Sequence, residues 1–120
     1  MQFPGQNILE RTQAFALKTI LLCDELPNKP SAWIVGKQVI RSATSVGAHI
    51  REGKHSRSAA EKLSKMSVAA QELEETRYWL ELMRDANIPA RGVSNWFFKE
   101  ADELMAILFS SVRTLKSRIS

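Results

Sequence analysis

Apolar residues return every three or four positions along almost the whole chain, and only short stretches break the rhythm. Side chains at that spacing share one stripe of an α-helix, whereas a half-buried strand needs strict alternation. No segment alternates in that way. With five Gly and four Pro in 120 residues, breakers are too scarce for many short strands. The pattern predicts an all-α fold.

Four stripes can be traced. Ile8, Thr12, Phe15, Thr19, Leu22 and Leu26 predict a helix from about Asn7 to Leu26, ended by the two prolines of "PNKPS". Ala32, Gly36, Val39, Ala43, Val46 and Ile50 predict a second from Ser31, read as its N-cap, to about Glu52. Gly53 then suits a left-handed C-terminal turn. "SAAE" opens a third helix, with Ser58 and Glu61 at capping-box spacing. Its stripe is Ala69, Leu73, Thr76, Leu80 and Met83, and "NIPARG" ends it after about Ala86. The fourth starts near Ser94. Phe98, Met105, Val112 and Ile119 recur every seven residues, with Ala101, Leu108 and Leu115 as companions. Four long helices joined by short loops predict an antiparallel up-down-up-down four-helix bundle. The length fits one domain, residues 1–120, with a core that needs no staples.

Composition narrows the function. The single cysteine, Cys23 in "ILLCDEL", excludes an internal disulfide framework and reads as a buried thiol. The N-terminus lacks a basic start followed by an apolar run, and no apolar stretch is long enough to span a bilayer. A cytoplasmic protein without a membrane partner is the expectation. Two histidines, His49 and His55, are too few for a di-iron centre of the kind that bundles hold, so neither metal nor cofactor is expected.

Charge is unevenly spread. Lys29 to Arg57 holds six basic residues and one acidic residue, while Ser58 to Ile88 holds four basic and six acidic. Two readings fit the positive stretch: a surface for an anionic partner, or a solvated helix face. The nucleic-acid candidates are Lys37, Arg41, Arg51, Lys54, His55 and Arg57, with Arg113, Lys116 and Arg118 near the C-terminus. In an up-down-up-down bundle, "REGKHSR" and "RTLKSR" share one end. Contacts of this kind grip phosphates without reading sequence.

Small residues mark the stretch "RSATSVGAHIREG", Arg41 to Gly53. Gly36, Ser42, Ala43 and Gly47 lie near one face, where another backbone can approach. Gly47 inside a helix costs about 1 kcal/mol relative to Ala, which predicts a packing reason. A catalytic turn is disfavoured, because no strand precedes Ser45 and no base is paired with it.

This stretch, followed by "AAQELEETRYWLELM", resembles a bacterial family of four-helix bundles encoded within intervening sequences of 23S ribosomal RNA genes. Arg41, Ser42, Ala43, Ser45, Gly47, Ile50, Glu52, Gly53, Glu75, Thr76, Trp79 and Leu80 carry the match; His49 stands where Asn is usual. The resemblance implies a ring-like homo-oligomer, a pentamer. It also implies a distant kinship to accessory proteins of retroelement reverse transcriptases, in which a basic pentamer binds nucleic acid and the enzyme. Independently, helix 4 is apolar on more than one face, and Trp33, Trp79 and Trp96 add aromatic area, which suggests a partner surface. Glu52 and Glu75 are expected to join an interior polar network with Arg41, Arg77, Ser45 and Tyr78. The sequence thus predicts a non-enzymatic homo-oligomer that binds RNA, DNA or a nucleic-acid enzyme such as a reverse transcriptase. The alternative is a protein scaffold with no nucleic-acid affinity.

Overall fold

The computed structural model describes the backbone of residues 4–119 and side chains from Ile8 to Ile119. The described residues form four helices and no strand: α1 (Pro4–Cys23), α2 (Pro30–Lys54), α3 (Ala59–Asp85) and α4 (Asn95–Ile119).

Contacts between successive helices run in opposite order. On α2, Gly36 packs on Leu26 while Gly47 packs on Thr12. Arg41 reaches Glu72, whereas Glu52 reaches Lys65. Between α3 and α4, Arg77 bonds Asp102, and Lys62 lines a recess with Arg118. Between α1 and α4, Arg11 bonds Glu100, and the Phe15 ring lies 6.0 Å from Trp96.

The four stripes converge on one core. Phe15, Val39, Ala43, Ala69, Leu73, Leu80, Met83, Ala101 and Leu104 are each 0% exposed. Polar members of the stripes are satisfied locally. Thr12 and Thr19 donate to the Ile8 and Phe15 carbonyls, each at 2.8 Å. Such hydroxyls can be buried because the carbonyl four residues back accepts them.

Helix ends depart from the spacing-based reading, for identifiable reasons. α2 starts with Pro30 at its first position and Lys29 as N-cap, so Ser31 lies inside the helix. Proline there lacks only an N–H that would be orphaned anyway. Gly53 is helical, and α2 ends at His55 with φ −99°, not through a left-handed glycine. The left-handed turn belongs to α3: Asn87 has φ 54°, with Ile88 N–H on the Met83 carbonyl at 2.9 Å and Asn87 N–H on Arg84 at 3.2 Å. That is the Schellman pattern, with Asn in the usual glycine place. Ser58 caps α3 as predicted, accepting from the Glu61 N–H at 3.1 Å.

The α4 seam is also corrected. Phe98, Ala101, Leu108 and Leu115 are buried, but Met105 and Val112 are only partly so and Ile119 is 46% exposed. A straight helix turns away from a strict seven-residue repeat by about 20° per heptad, so the last seam position has rotated off the core.

Candidate nucleic-acid interface

The α2/α3 turn forms one end of the molecule. Arg51, Lys54, His55 and Arg57 are exposed there. A side chain at Gly53 would meet Met66 Cε at 2.9 Å and Lys65 Cβ at 3.4 Å, so the missing Cβ lets α2 close on α3. Lys62 also borders Gly53, with Cγ 3.9 Å from that same point. It then lines a recess of about 190 Å³ with Ser110, Ser111, Thr114 and Arg118 of α4. The α2/α3 turn and the last turns of α4 therefore meet at one end, as expected from the helix order.

Cations dominate this end. Glu52 lies here but is paired with Lys65 at 2.9 Å, and each holds the other charged: the carboxyl below and the ammonium above its ordinary range. Among the described residues, no carboxylate partner is seen for Arg51, Lys54, Arg57, Lys62 or Arg118. Arg113 and Lys116 are exposed on the same final turns of α4. Lys116 leans toward α3, in a recess with Gln71 and Glu74.

Two sequence candidates lie elsewhere. Lys37 is about 25 Å from Lys54 along the helix at 1.5 Å per residue. It borders an apolar groove with Trp33 and Ile40 near the other end. Arg41 is occupied within the chain, bonding Glu72 at 3.0 Å and pairing with Glu75. Lys62 was hidden by counting charge along the sequence: it falls in the acidic segment, but only one turn into α3. Its place four residues after the Ser58 cap was the available signal.

The motif residues perform different tasks. Glu52 is solvent-facing, not interior. Glu75 is half-buried and accepts from Trp79 Nε1 at 3.0 Å. The indole N–H foremost, then Arg41, hold its carboxyl below the usual carboxylate range. Arg77 turns to α4, bonding Asp102 at 2.7 Å, and the Tyr78 ring packs edge-on against Trp79 in the open. The expected interior network of these groups is not formed. The buried polar link between α2 and α3 is Thr76 Oγ1 to Ser42 Oγ at 2.8 Å, with both residues 0% exposed. Ile50 is core, 1% exposed. Gly47 faces Thr12, where a Cβ would find Oγ1 at 3.5 Å, an ordinary contact.

Ser45 does have a ring neighbour, contrary to expectation. His49 Nδ1 lies 3.0 Å from Ser45 Oγ and 2.9 Å from the Ser45 carbonyl oxygen. A carbonyl only accepts, so that contact requires the proton on Nδ1. The ring then donates to both oxygens and cannot take the Ser45 proton, so the pair ties one helix turn together. Among the described residues, no cluster of three or more His, Cys, Asp or Glu could hold a metal, and no helix is long and apolar enough to cross a membrane.

A family model described as "23S rRNA-intervening sequence protein" matches residues 6–110. The crystal structure of a Bacteroides thetaiotaomicron protein of unknown function, from the S23 ribosomal protein family, superposes with a TM-score of 0.81 at 27% identity. The match covers 92% of this chain and 99% of that one. No curated protein matches.

Proposed function

The chain belongs to the 23S rRNA-intervening sequence protein family, and we propose that it is a non-enzymatic module that grips nucleic-acid phosphates at its basic end. In this reading it is a single up-down-up-down antiparallel bundle, acting in the cytoplasm as a homo-oligomer. Five copies is the number that the family likeness implies. The opposed order of contacts along neighbouring helices supports the topology. The observation that carries the binding role is the run of cations, Arg51, Lys54, Arg57, Lys62 and Arg118, at one end, with no carboxylate partner among the described residues. Serine and threonine hydroxyls beside Lys62 and Arg118 are further phosphate donors. In an oligomer the patch is repeated, and RNA, DNA or the complex of a nucleic-acid enzyme such as a reverse transcriptase would see several at once.

Among the described residues no aromatic ring interleaves these five cations, so binding rests on phosphate charge rather than base stacking. Fluorescence anisotropy with a structured ribosomal RNA fragment and an unrelated duplex, at about 50 and about 200 mM salt, tests this. Affinity should fall steeply with salt for both probes. Each cation neutralised among Arg51, Lys54 and Arg57 should flatten the logarithmic salt slope by about one. No binding at micromolar protein in low salt would refute the reading. That result would favour a protein scaffold without nucleic-acid affinity, the reading for which the exposed apolar side chains at the other end speak.

A further inference from the structure

Threonine hydroxyls on this chain follow one habit, with one departure. Of the five threonines, Thr12, Thr19, Thr44 and Thr76 each donate to the carbonyl four residues back, at 2.7–2.8 Å. A hydroxyl inside a helix commonly does so. Thr114 on α4 does not. Among the described residues its hydroxyl has no hydrogen-bond partner, and neither have those of Ser110 and Ser111.

These three hydroxyls share the recess of about 190 Å³ between α3 and α4 with Lys62 and Arg118, beside the buried Leu115. No carboxylate lines it. Glu61, next to Lys62 in sequence, acts on Lys65 instead, whose ammonium is held charged first by Glu52 and also by Glu61. The larger recess of about 430 Å³ at the start of α4 differs. Its Arg91 is bonded to Glu25 at 2.7 Å, and its Lys18 lies over the Trp96 ring at 4.1 Å. Helix ends add to the contrast. Lys62 is in the first turn of α3, the positive end of that helix, while Lys116 and Arg118 offset the negative end of α4.

The donor set selects among anions. Lysine and arginine only donate, and each hydroxyl has one O–H to give. A phosphodiester inside a chain carries one charge and two free oxygens. A phosphate monoester carries about 1.5 to 2 negative charges and three strong acceptor oxygens. Two cations and three hydroxyls match the monoester in charge and in oxygens. Shape agrees with this. At about 30 Å³ per water, the recess has the space of about six waters, and a chain end enters head-on, whereas a mid-chain phosphate brings a sugar on each side. Lys62 also borders Gly53, beside the turn that carries Lys54 and Arg57. A chain that begins in the recess therefore meets cations for its next phosphates.

We infer that this recess seats the terminal phosphate monoester of a nucleic-acid chain, with Lys62 and Arg118 on its charge and Ser110, Ser111 and Thr114 on its oxygens. This rests on the nucleic-acid reading of the basic end and names the part it takes, an end as well as a backbone.

Fluorescence anisotropy on the full chain tests it, with one internally labelled RNA made in three forms: 5′-phosphate, 3′-phosphate, and hydroxyl at both ends. At about 200 mM salt backbone contacts are weakened. A phosphate-ended form should then bind at least about tenfold tighter than the hydroxyl-ended form, the scale of charge-assisted hydrogen bonds. Ser111→Ala/Thr114→Ala, which leaves charge unchanged, should bring that ratio to within about twofold and leave the hydroxyl-ended affinity as it was. Circular dichroism checks that the variant is still helical. Arg118→Gln should also shrink the ratio. Equal binding of all three forms overturns the seat and leaves the basic-end reading standing. No binding of any form at low salt overturns both. A preference that survives both the Ser111/Thr114 and the Arg118 changes overturns the recess as its place. Competition by inorganic phosphate at micromolar concentration makes free phosphate the occupant and overturns the chain end.

Discussion

The two ends of the molecule are built from opposite materials. At the α2/α3 turn, α2 and α3 close over a glycine, the side chains in solvent are cationic, and the carboxylate Glu52 is neutralised by Lys65. At the α1/α2 turn, rings and branched chains stand in solvent, while Phe15, Trp96 and Phe97 form an aromatic cluster beneath, with ring centroids 5.2–6.1 Å apart. Unpaired charge facing water costs little and waits for an anion; apolar surface facing water costs free energy until something covers it. One end thus exposes charge and the other apolar surface.

Stability should reflect the same contrast. Phe15→Ala, which empties the aromatic cluster at a site 0% exposed, should cost about 3–5 kcal/mol. Met66→Ala, which removes the flexible side chain packed on Gly53, should cost nearer 2 kcal/mol, the low end for that exchange. Urea melts of both variants measure the gap, and equal losses would break the comparison.

Ser58→Ala sharpens it at the basic end. Losing the cap on α3 should cost about 1 kcal/mol, and because Lys62 lies in the turn that Ser58 caps, the RNA salt slope should flatten with it. Gly47→Ala is the opposing case. Its new methyl meets Thr12 at an ordinary distance, so thermal melts should show a gain of up to about 1 kcal/mol from helix propensity.

The smallest effect concerns Glu75, midway between the ends. Trp79 and Arg41 hold its carboxyl below the ordinary range, so its contribution is full above the unfolded carboxylate value and is lost as pH falls through the lowered folded value. Glu75→Gln should remove that acid-side slope and less than about 1 kcal/mol at neutral pH, since the pair is solvent-screened. Urea midpoints of wild type and variant across the acid range give the comparison.

Much of this was legible in the sequence. Helix existence and the core stripes of α1, α2 and α3 followed from spacing, because periodicity is local and one-dimensional. Helix ends were not, since Pro30 and Asn87 took roles assigned to Ser31 and Gly53. Glu52 was misplaced because the side a charge takes near a helix end depends on the next helix, here on Lys65. Exposed apolar area was expected on α4 and at Trp33, Trp79 and Trp96; Trp33 stands in solvent, while Trp79 and Trp96 pack against the core, because sequence gives the width of an apolar arc but not which part a neighbour covers.

The most direct measurement pairs the two ends in one experiment: RNA affinity and solution mass of wild type, of Lys54→Ala/Arg57→Ala/Lys62→Ala/Arg118→Ala, and of Trp33→Glu/Ile34→Glu. The two variants should behave differently. The first variant should assemble fully but bind RNA weakly with a flattened salt slope. The second, changed at the other end, should keep a salt-sensitive affinity for a short RNA. Loss of assembly in the basic-end variant, or unchanged RNA binding after four cations are removed, would contradict it.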